Sequence, residues 1–288
     1  MKRIFLFCTI TFTSLSFFSS VSFGQCSDAG VCQIGHITNN SDEQLLNISL
    51  SYKNGYSGKE DDVTFSSFQL DTRYDLFKGS TIRFVVPYNL QSGPVGNING
   101  LGDLLISWSQ KLLAYEASSL SASFGVKLAT GNENKEPTLP QIYQPGLGSN
   151  DFIFALDYSY EKFGFGAGYQ LSGGRNDNEI IKLKRGDDLL IRASYLFAID
   201  YFKITPNLIF IKQLSTSSIS DFSSQDYIEV KGSDQSQLNF LTLIQYDLNE
   251  NYALFSEVAI PFLKRDVNVD GLKRAYTASF GLRLSIEN

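Results

Sequence analysis

The chain has 288 residues, of which 43% are hydrophobic and 14% aromatic, with 24 basic and 30 acidic residues for a formal net charge of −6. That is the balance of a folded chain of one large or two small domains, and it carries no nucleic-acid footprint. A single His leaves little room for His-dependent catalysis or a His-rich metal site. No run of about 18 apolar residues follows the N-terminus, which excludes later membrane-crossing helices but not a membrane barrel, whose alternating strands average to neutral hydropathy.

At the N-terminus, Lys2 and Arg3 precede an apolar, Ser/Thr-rich core from Ile4 to Val21, and Ser22-Phe23-Gly24 places small residues before a cleavage point. This reads as a secretory signal over 1–24, cut between Gly24 and Gln25; a retained anchor helix is disfavoured by its short, diluted core. Cys8 and two basic residues leave with it, so the exported chain holds 22 basic and 30 acidic residues, a net −8. Cys26 and Cys32 then form an even pair in an oxidising compartment, expected to be a disulfide clipping a periplasmic segment over 25–44. Lipid attachment at Cys26 lacks its usual preceding pattern, and two cysteines alone make an incomplete metal site.

From residue 45 to 288 the dominant signal has period two. Leu46, Ile48, Leu50 and Tyr52 alternate with Asn47, Ser49, Ser51 and Lys53, and Tyr276, Ala278, Phe280, Leu282, Leu284 and Ile286 with Thr277, Ser279, Gly281, Arg283 and Ser285. Successive strand side chains point to opposite faces, so each segment has one apolar and one polar face. Twelve such segments are predicted, at roughly 45–53, 65–74, 80–88, 103–111, 118–128, 151–160, 163–171, 187–197, 203–213, 237–247, 252–261 and 275–286. Most have the length of about 9–11 residues that crosses a bilayer when tilted.

The connections alternate long and short. Those near 75–79, 112–117, 161–162, 198–202 and 248–251 are short, and those near 54–64, 89–102, 129–150, 172–186, 214–236 and 262–274 are long and polar. Short periplasmic turns against long external loops is the asymmetry of an outer-membrane barrel. Tyr74, Phe77, Tyr115, Tyr160, Phe163, Phe197, Tyr201, Tyr246 and Tyr252 all flank the short turns, as an interfacial girdle requires. The last strand carries Ser279-x-Gly281-x-x-Leu284-x-Ile286, which resembles the C-terminal signal read by the barrel assembly machinery. The expected fold is therefore all-β: a closed antiparallel transmembrane β-barrel of about 12 strands, in the outer membrane of a Gram-negative bacterium.

Three motifs follow one another: Gly100-Leu101-Gly102-Asp103, then Gly125-Val126-Lys127-Leu128-Ala129-Thr130-Gly131, then Gly146-Leu147-Gly148-Ser149-Asn150-Asp151. In this order they resemble the outer-membrane barrel family named after the meta-pathway of phenol degradation, over roughly residues 80–170, with Ala129 where that family has Pro. The resemblance implies a barrel and a role in moving small molecules. Read from the residues, these glycines permit tight loop closure and Asp103 can bond nearby backbone amides; no helix follows to make a phosphate loop. Gly164, Gly166 and Gly168 share one face of a strand, as a close-packed inner wall or as a groove for a solute or an inward-folded loop.

With the apolar face toward lipid, the expected lumen-lining and solute-binding residues are Asp71, Arg73, Arg83, Lys111, Lys127, Asp157, Arg192, Glu257 and Arg283. They read either as ion pairs filling a narrow barrel or as a polar conduit whose arginines bind an anionic or hydrogen-bonding solute. An outer-membrane lipase or protease is disfavoured because His36, the only histidine, precedes the first strand. The segment before residue 45 is too short for a globular plug, and Glu60-Asp61-Asp62 reads as a solvated loop tip rather than a calcium site. The sequence thus predicts a non-enzymatic channel for passive passage of a small solute, aromatic or hydrophobic compounds being candidates, with no cofactor and no nucleic acid. Its expected partners are outer-membrane lipid, the assembly machinery and that solute. The rival is a closed structural or surface-interaction barrel acting through its long external loops.

Overall fold

The computed structural model describes residues 44–221 and 226–287; the signal segment, Cys26, Cys32 and His36 lie outside the described residues. The strands are β1 (Gln44–Tyr56), β2 (Thr64–Phe77), β3 (Ser80–Gly93), β4 (Gly96–Leu101), β5 (Leu104–Ala114), β6 (Ser118–Leu128), β7 (Asp151–Tyr160), β8 (Phe163–Leu171), β9 (Asp188–Tyr195), β10 (Phe197–Ile199), β11 (Phe202–Gln213), β12 (Ser218–Ser220), β13 (Tyr227–Glu229), β14 (Ser236–Asp247), β15 (Tyr252–Leu263) and β16 (Tyr276–Glu287). Twelve of them make a continuous antiparallel wall, in which β3 meets β5, β9 meets β11, β11 meets β14, and β16 returns to β1. Pairing from Asn47↔Ser285 to Tyr56↔Tyr276 closes the barrel and removes its edges.

The expected strands all form, several running farther at the loop end. β4 is an addition: it folds back on β3 from Tyr88↔Leu101 to Gly93↔Gly96, so part of the expected loop over 89–102 is a hairpin. The β12–β13 hairpin lies in the expected loop over 214–236, and β10 prolongs the line of β9 along β11.

The alternation is sharpest where β7 reads Asp-Phe-Ile-Phe-Ala-Leu-Asp-Tyr, with every odd position from Asp151 to Asp157 buried and every even one exposed. Phe154 is 49% and Leu156 53% exposed, whereas Ile153 between them is 0% exposed. Exposed apolar side chains recur all round the wall, including Leu50, Phe84, Trp108, Phe165, Ile191, Leu208 and Phe280. A belt of that extent is far beyond the patch a soluble monomer tolerates, and it matches a lipid environment. Aromatics crowd the short-turn rim, where Tyr74, Phe77, Tyr115, Tyr160, Phe163, Phe197, Tyr201 and Tyr252 are all exposed, and Tyr246 packs on Phe202 with ring centroids 4.7 Å apart.

The inner face is less uniformly polar than the alternation suggests. Val85, Leu105, Ile153, Ala155, Leu190, Ile209, Ile211, Leu241 and Ala259 are inward and buried, forming one cluster drawn from seven strands. They share strand faces with Arg83, Asp157, Arg192 and Glu257, so the lumen is charged and apolar by turns. An arginine on the outer face at mid-depth has no such company. We therefore expect Phe154→Arg to cost about 2–4 kcal/mol, measured by equilibrium unfolding in lipid, with Phe154→Leu close to neutral.

Candidate functional site

The long loop over 129–150 does not stand out from the barrel; it folds into the mouth. Its short 3-10 turn, Gln141–Tyr143, is inward and its segment from Gln141 to Leu147 is mostly buried. On one side the loop leans on β3, where Asn89 Nδ2 donates to Pro145 O (2.8 Å) and Gln91 Nε2 to Gln144 O (3.3 Å). On the other, Asn176 Nδ2 donates to Gln141 Oε1 and to Leu147 O, each at 2.8 Å. The loop therefore bridges the mouth as a lid, with Tyr143 and Leu139 packed on Val63 and Phe65.

The three glycine motifs build the clasp that holds this lid. Asp103 Oδ1 accepts from Gly131 N (3.1 Å), and Oδ2 accepts from Leu147 N (2.9 Å) with Lys127 Nζ at 3.4 Å. Thr130 locks the same corner, donating to Gly102 O (3.1 Å) and accepting from Leu104 N (2.9 Å). Gly131 and Gly146 pass back to back, and a Cβ on Gly146 would lie 2.5 Å from the Gly131 carbonyl carbon. The expectation that Asp103 bonds nearby amides is met, and its targets belong to the lid.

A buried ionic cluster, which the sequence reading missed, ties the long loops over 172–186 and 262–274 to the starts of β7 and β9. Arg185 reaches Asp151 (3.4 Å), Asp188 (2.7 Å) and Asp270 (3.3 Å), while Arg265 forks onto both oxygens of Asp270 at 3.2 and 3.1 Å. Burial by itself would raise the pKa of Asp270, but Arg265, Arg185 and the Leu272 amide outweigh it and hold it down to about 2. The acidic tip is likewise engaged in loop contacts: Lys273 Nζ donates to Glu60, and Asn268 Nδ2 to Asp61 Oδ2 (2.6 Å). Among the described residues no three or more His, Cys, Asp or Glu side chains are grouped so as to hold a metal ion.

Below the lid lies a charged layer. Arg83 forks onto Asp71, with Nε–Oδ1 at 2.9 Å and Nη2–Oδ2 at 2.7 Å, and Arg73 lies 3.7 Å from the same carboxylate. Arg283 faces the lumen beside them, donating to Gln245 Oε1 (3.1 Å) and lying 5.6 Å from the Phe255 ring centroid. Glu257, opposite Leu243 and Ser279, is on the inner face one wall away. Lys111, opposite Ser121, lies toward the short-turn rim. Two more of the expected lumen residues meet across a strand: Asp157 of β7 and Arg192 of β9 are both in register with Gly166 of β8, and they bond directly above it. A Cβ on Gly166 would lie 2.5 Å from both Arg192 Nε and Asp157 Oδ1, so the glycine makes room for this pair.

Two spaces flank the charged layer. A narrow chamber of about 90 Å³ lies beneath the lid, lined by Lys53, Gln69, Gln91, Lys127, Gln144 and Arg274 among others. A vestibule of about 780 Å³ opens at the short-turn end, lined by Ser194, Lys203, Gln245, Asp247, Arg283 and neighbours. Ser279 and Gly281 of the expected assembly signal face inward, while Leu284 and Ile286 have the opposite, outward parity.

No protein-family model matches the chain, and no curated protein does. The meta-pathway resemblance therefore rests on its three motifs alone. Among solved structures, an outer-membrane channel from Pseudomonas putida F1 matches with a TM-score of 0.64 at 14% identity, covering 87% of this chain and all of that one. The NanC porin matches with a TM-score of 0.50 at 9% identity, covering 84% of this chain and 100% of that one. At these identities the likeness is one of fold: a closed twelve-stranded barrel of the outer-membrane type.

Two outcomes follow for the lid. Asp103→Ala removes a charged acceptor from two amides, a loss on the order of 3 kcal/mol to lid closure, and should expose 129–150 to protease in intact cells. Because the folded pKa of Asp270 is depressed, the stability it confers is present above the unfolded value near 3.9 and is lost only as pH falls through about 2. Acidification to pH 4 should therefore leave the Asp270 contribution largely in place, so Asp270→Asn should reduce the protease protection of the loop over 262–274 by a similar factor at pH 7 and at pH 4.

Proposed function

We propose that the chain is an outer-membrane channel for passive passage of a small solute, with its mouth shut by the lid in the described conformation. The observation that carries this reading is the arrangement along the barrel axis. A chamber and a vestibule lie on either side of an inward-facing arginine layer, and the lid over them is held by hydrogen bonds and ion pairs rather than by a strand. Such contacts can be exchanged, whereas the wall cannot open without stranding backbone groups in lipid.

Arg73, Arg83 and Arg283 outnumber the carboxylate they surround, Asp71, so the layer attracts anions more than cations. The inner apolar residues suit a solute with an apolar portion, such as an aromatic or otherwise hydrophobic compound. A second reading has its own support. Ile153, Ile209 and Leu241 are packed to 2% exposure or less inside the bore, as they would be in a permanently closed barrel acting through its loops.

Planar-bilayer recording separates the two. The unaltered chain should show little steady conductance, and Asp103→Ala should show a steady, anion-preferring one. In that background Arg283→Ala should move selectivity toward cations. If the folded Asp103→Ala protein remains silent, the closed structural barrel is the correct reading.

A further inference from the structure

We infer that the vestibule at the short-turn end holds a binding site for a monocarboxylate with an apolar body, its carboxylate seated on Arg283. The inference rests on the conduit reading in placing the vestibule on the solute's path, but the site is argued from its own lining.

Arg283 carries the case. It lines the vestibule and is only partly buried, so a solute in that space can reach it. Among the described residues its one hydrogen bond runs from Nη1 to Gln245 Oε1 (3.1 Å), and no carboxylate forms an ion pair with it. The carboxylates whose charge reaches it, Asp71 and Asp247, are committed elsewhere. Asp71 is forked by Arg83 and flanked by Arg73, while Asp247 accepts from Gln245 Nε2 (2.6 Å) and pairs with Lys203 (2.8 Å). The rest of the guanidinium borders the vestibule, and a carboxylate is the group whose two oxygens match its fork of donors.

The guanidinium is also held in place. Gln245, fixed by its bond to Asp247, turns its carbonyl oxygen to Arg283, and the Phe255 ring centroid lies 5.6 Å away. Phe255 has room there because its cross-strand neighbour is Gly281, where a Cβ would strike the ring. On β15, Phe255 stands between Ala253, which is opposite Arg283, and Glu257, which is set one step deeper in the bore. Glu161, Glu250 and Glu287 border the vestibule too, but they are exposed at its rim, where salt screens charge over about 8 Å.

Size and lining set the rest of the solute. The vestibule, at about 780 Å³, is well above the roughly 150 Å³ that admits benzene, whereas the chamber beneath the lid, at about 90 Å³, is below it. Of the two spaces only the vestibule takes a ring-sized body while the lid is closed. Leu196, Leu243 and Ala253 offer that body apolar contacts.

Three water-soluble probes test this on the chain in lipid nanodiscs, by saturation-transfer NMR titration against empty nanodiscs. Benzoate carries both the charge and the ring, the near-isosteric benzamide lacks the charge, and acetate lacks the ring. Benzoate should bind saturably and about tenfold more tightly than either of the others. Arg283→Gln should bring benzoate down to the benzamide level, while Lys162→Met, at the exposed rim, should leave benzoate within about twofold. If Arg283→Gln fails to fold, Ala253→Trp serves instead: it keeps the charge, fills the space opposite, and should weaken benzoate about tenfold while sparing acetate.

No saturable benzoate binding to a folded chain, equal affinity for benzoate and benzamide, or an equal loss in Lys162→Met and Arg283→Gln would each overturn the inference. Unchanged benzoate binding in Ala253→Trp would do the same. The conduit is judged separately: benzoate binding with a silent Asp103→Ala barrel keeps the site and removes the channel. Conductance in that variant without benzoate binding does the reverse.

Discussion

Every other feature of this molecule depends on the requirement that no backbone hydrogen-bonding group be left unpaired in lipid. The pairing of β16 with β1 meets it, and once the wall is closed each residue has only two places to go. One parity must be apolar enough for hydrocarbon, and the other takes whatever polarity the chain carries. Twelve strands enclose a bore narrow enough for inward side chains to meet across it. The interior is therefore packed partly as a protein core, with Ile153, Ile209 and Leu241, and partly as an ionic layer, with Asp71 and Arg83.

The two materials of the bore have different consequences. The apolar cluster gives stability without direction, since dispersion and burial are indifferent to what fills a space. The charged layer is directional: the fork of Arg83 onto Asp71 is diagonal across β2 and β3, and Arg192 reaches Asp157 only because Gly166 intervenes without a side chain. The lid belongs to the second kind. Asp103 at the start of β5 collects amides from residues 28 and 44 positions later, so one carboxylate sets where the whole loop lies.

The wall was legible in the sequence because period two is a local property. Leu46 to Lys53 and Asp151 to Tyr160 state their faces without reference to any other strand, and strand ends fell within a few residues of the observed ones. The aromatic rim was legible for the same reason, since it needs only position relative to a turn. The three glycine motifs were visible and their loop-closing chemistry could be read, but not that Gly131 would lie against Gly146. The β4 hairpin was hidden because Gly96, Asn97, Asn99 and Gly100 are turn and loop formers, recruited to a strand only by pairing with β3. Nor could parity say that Val85 and Leu241 meet inside, or that Arg185 finds three carboxylates. Those are contacts across the barrel, between segments that nothing local connects.

The cluster around Arg185 also orders events in time. Its partners come from β7, β9 and the last external loop, the connection between β15 and β16. Asp270 can arrive only when the final hairpin has formed, so a nascent barrel has the early part of its lid but lacks the bolt that secures it. The mouth is thus secured only when the last external loop is in place.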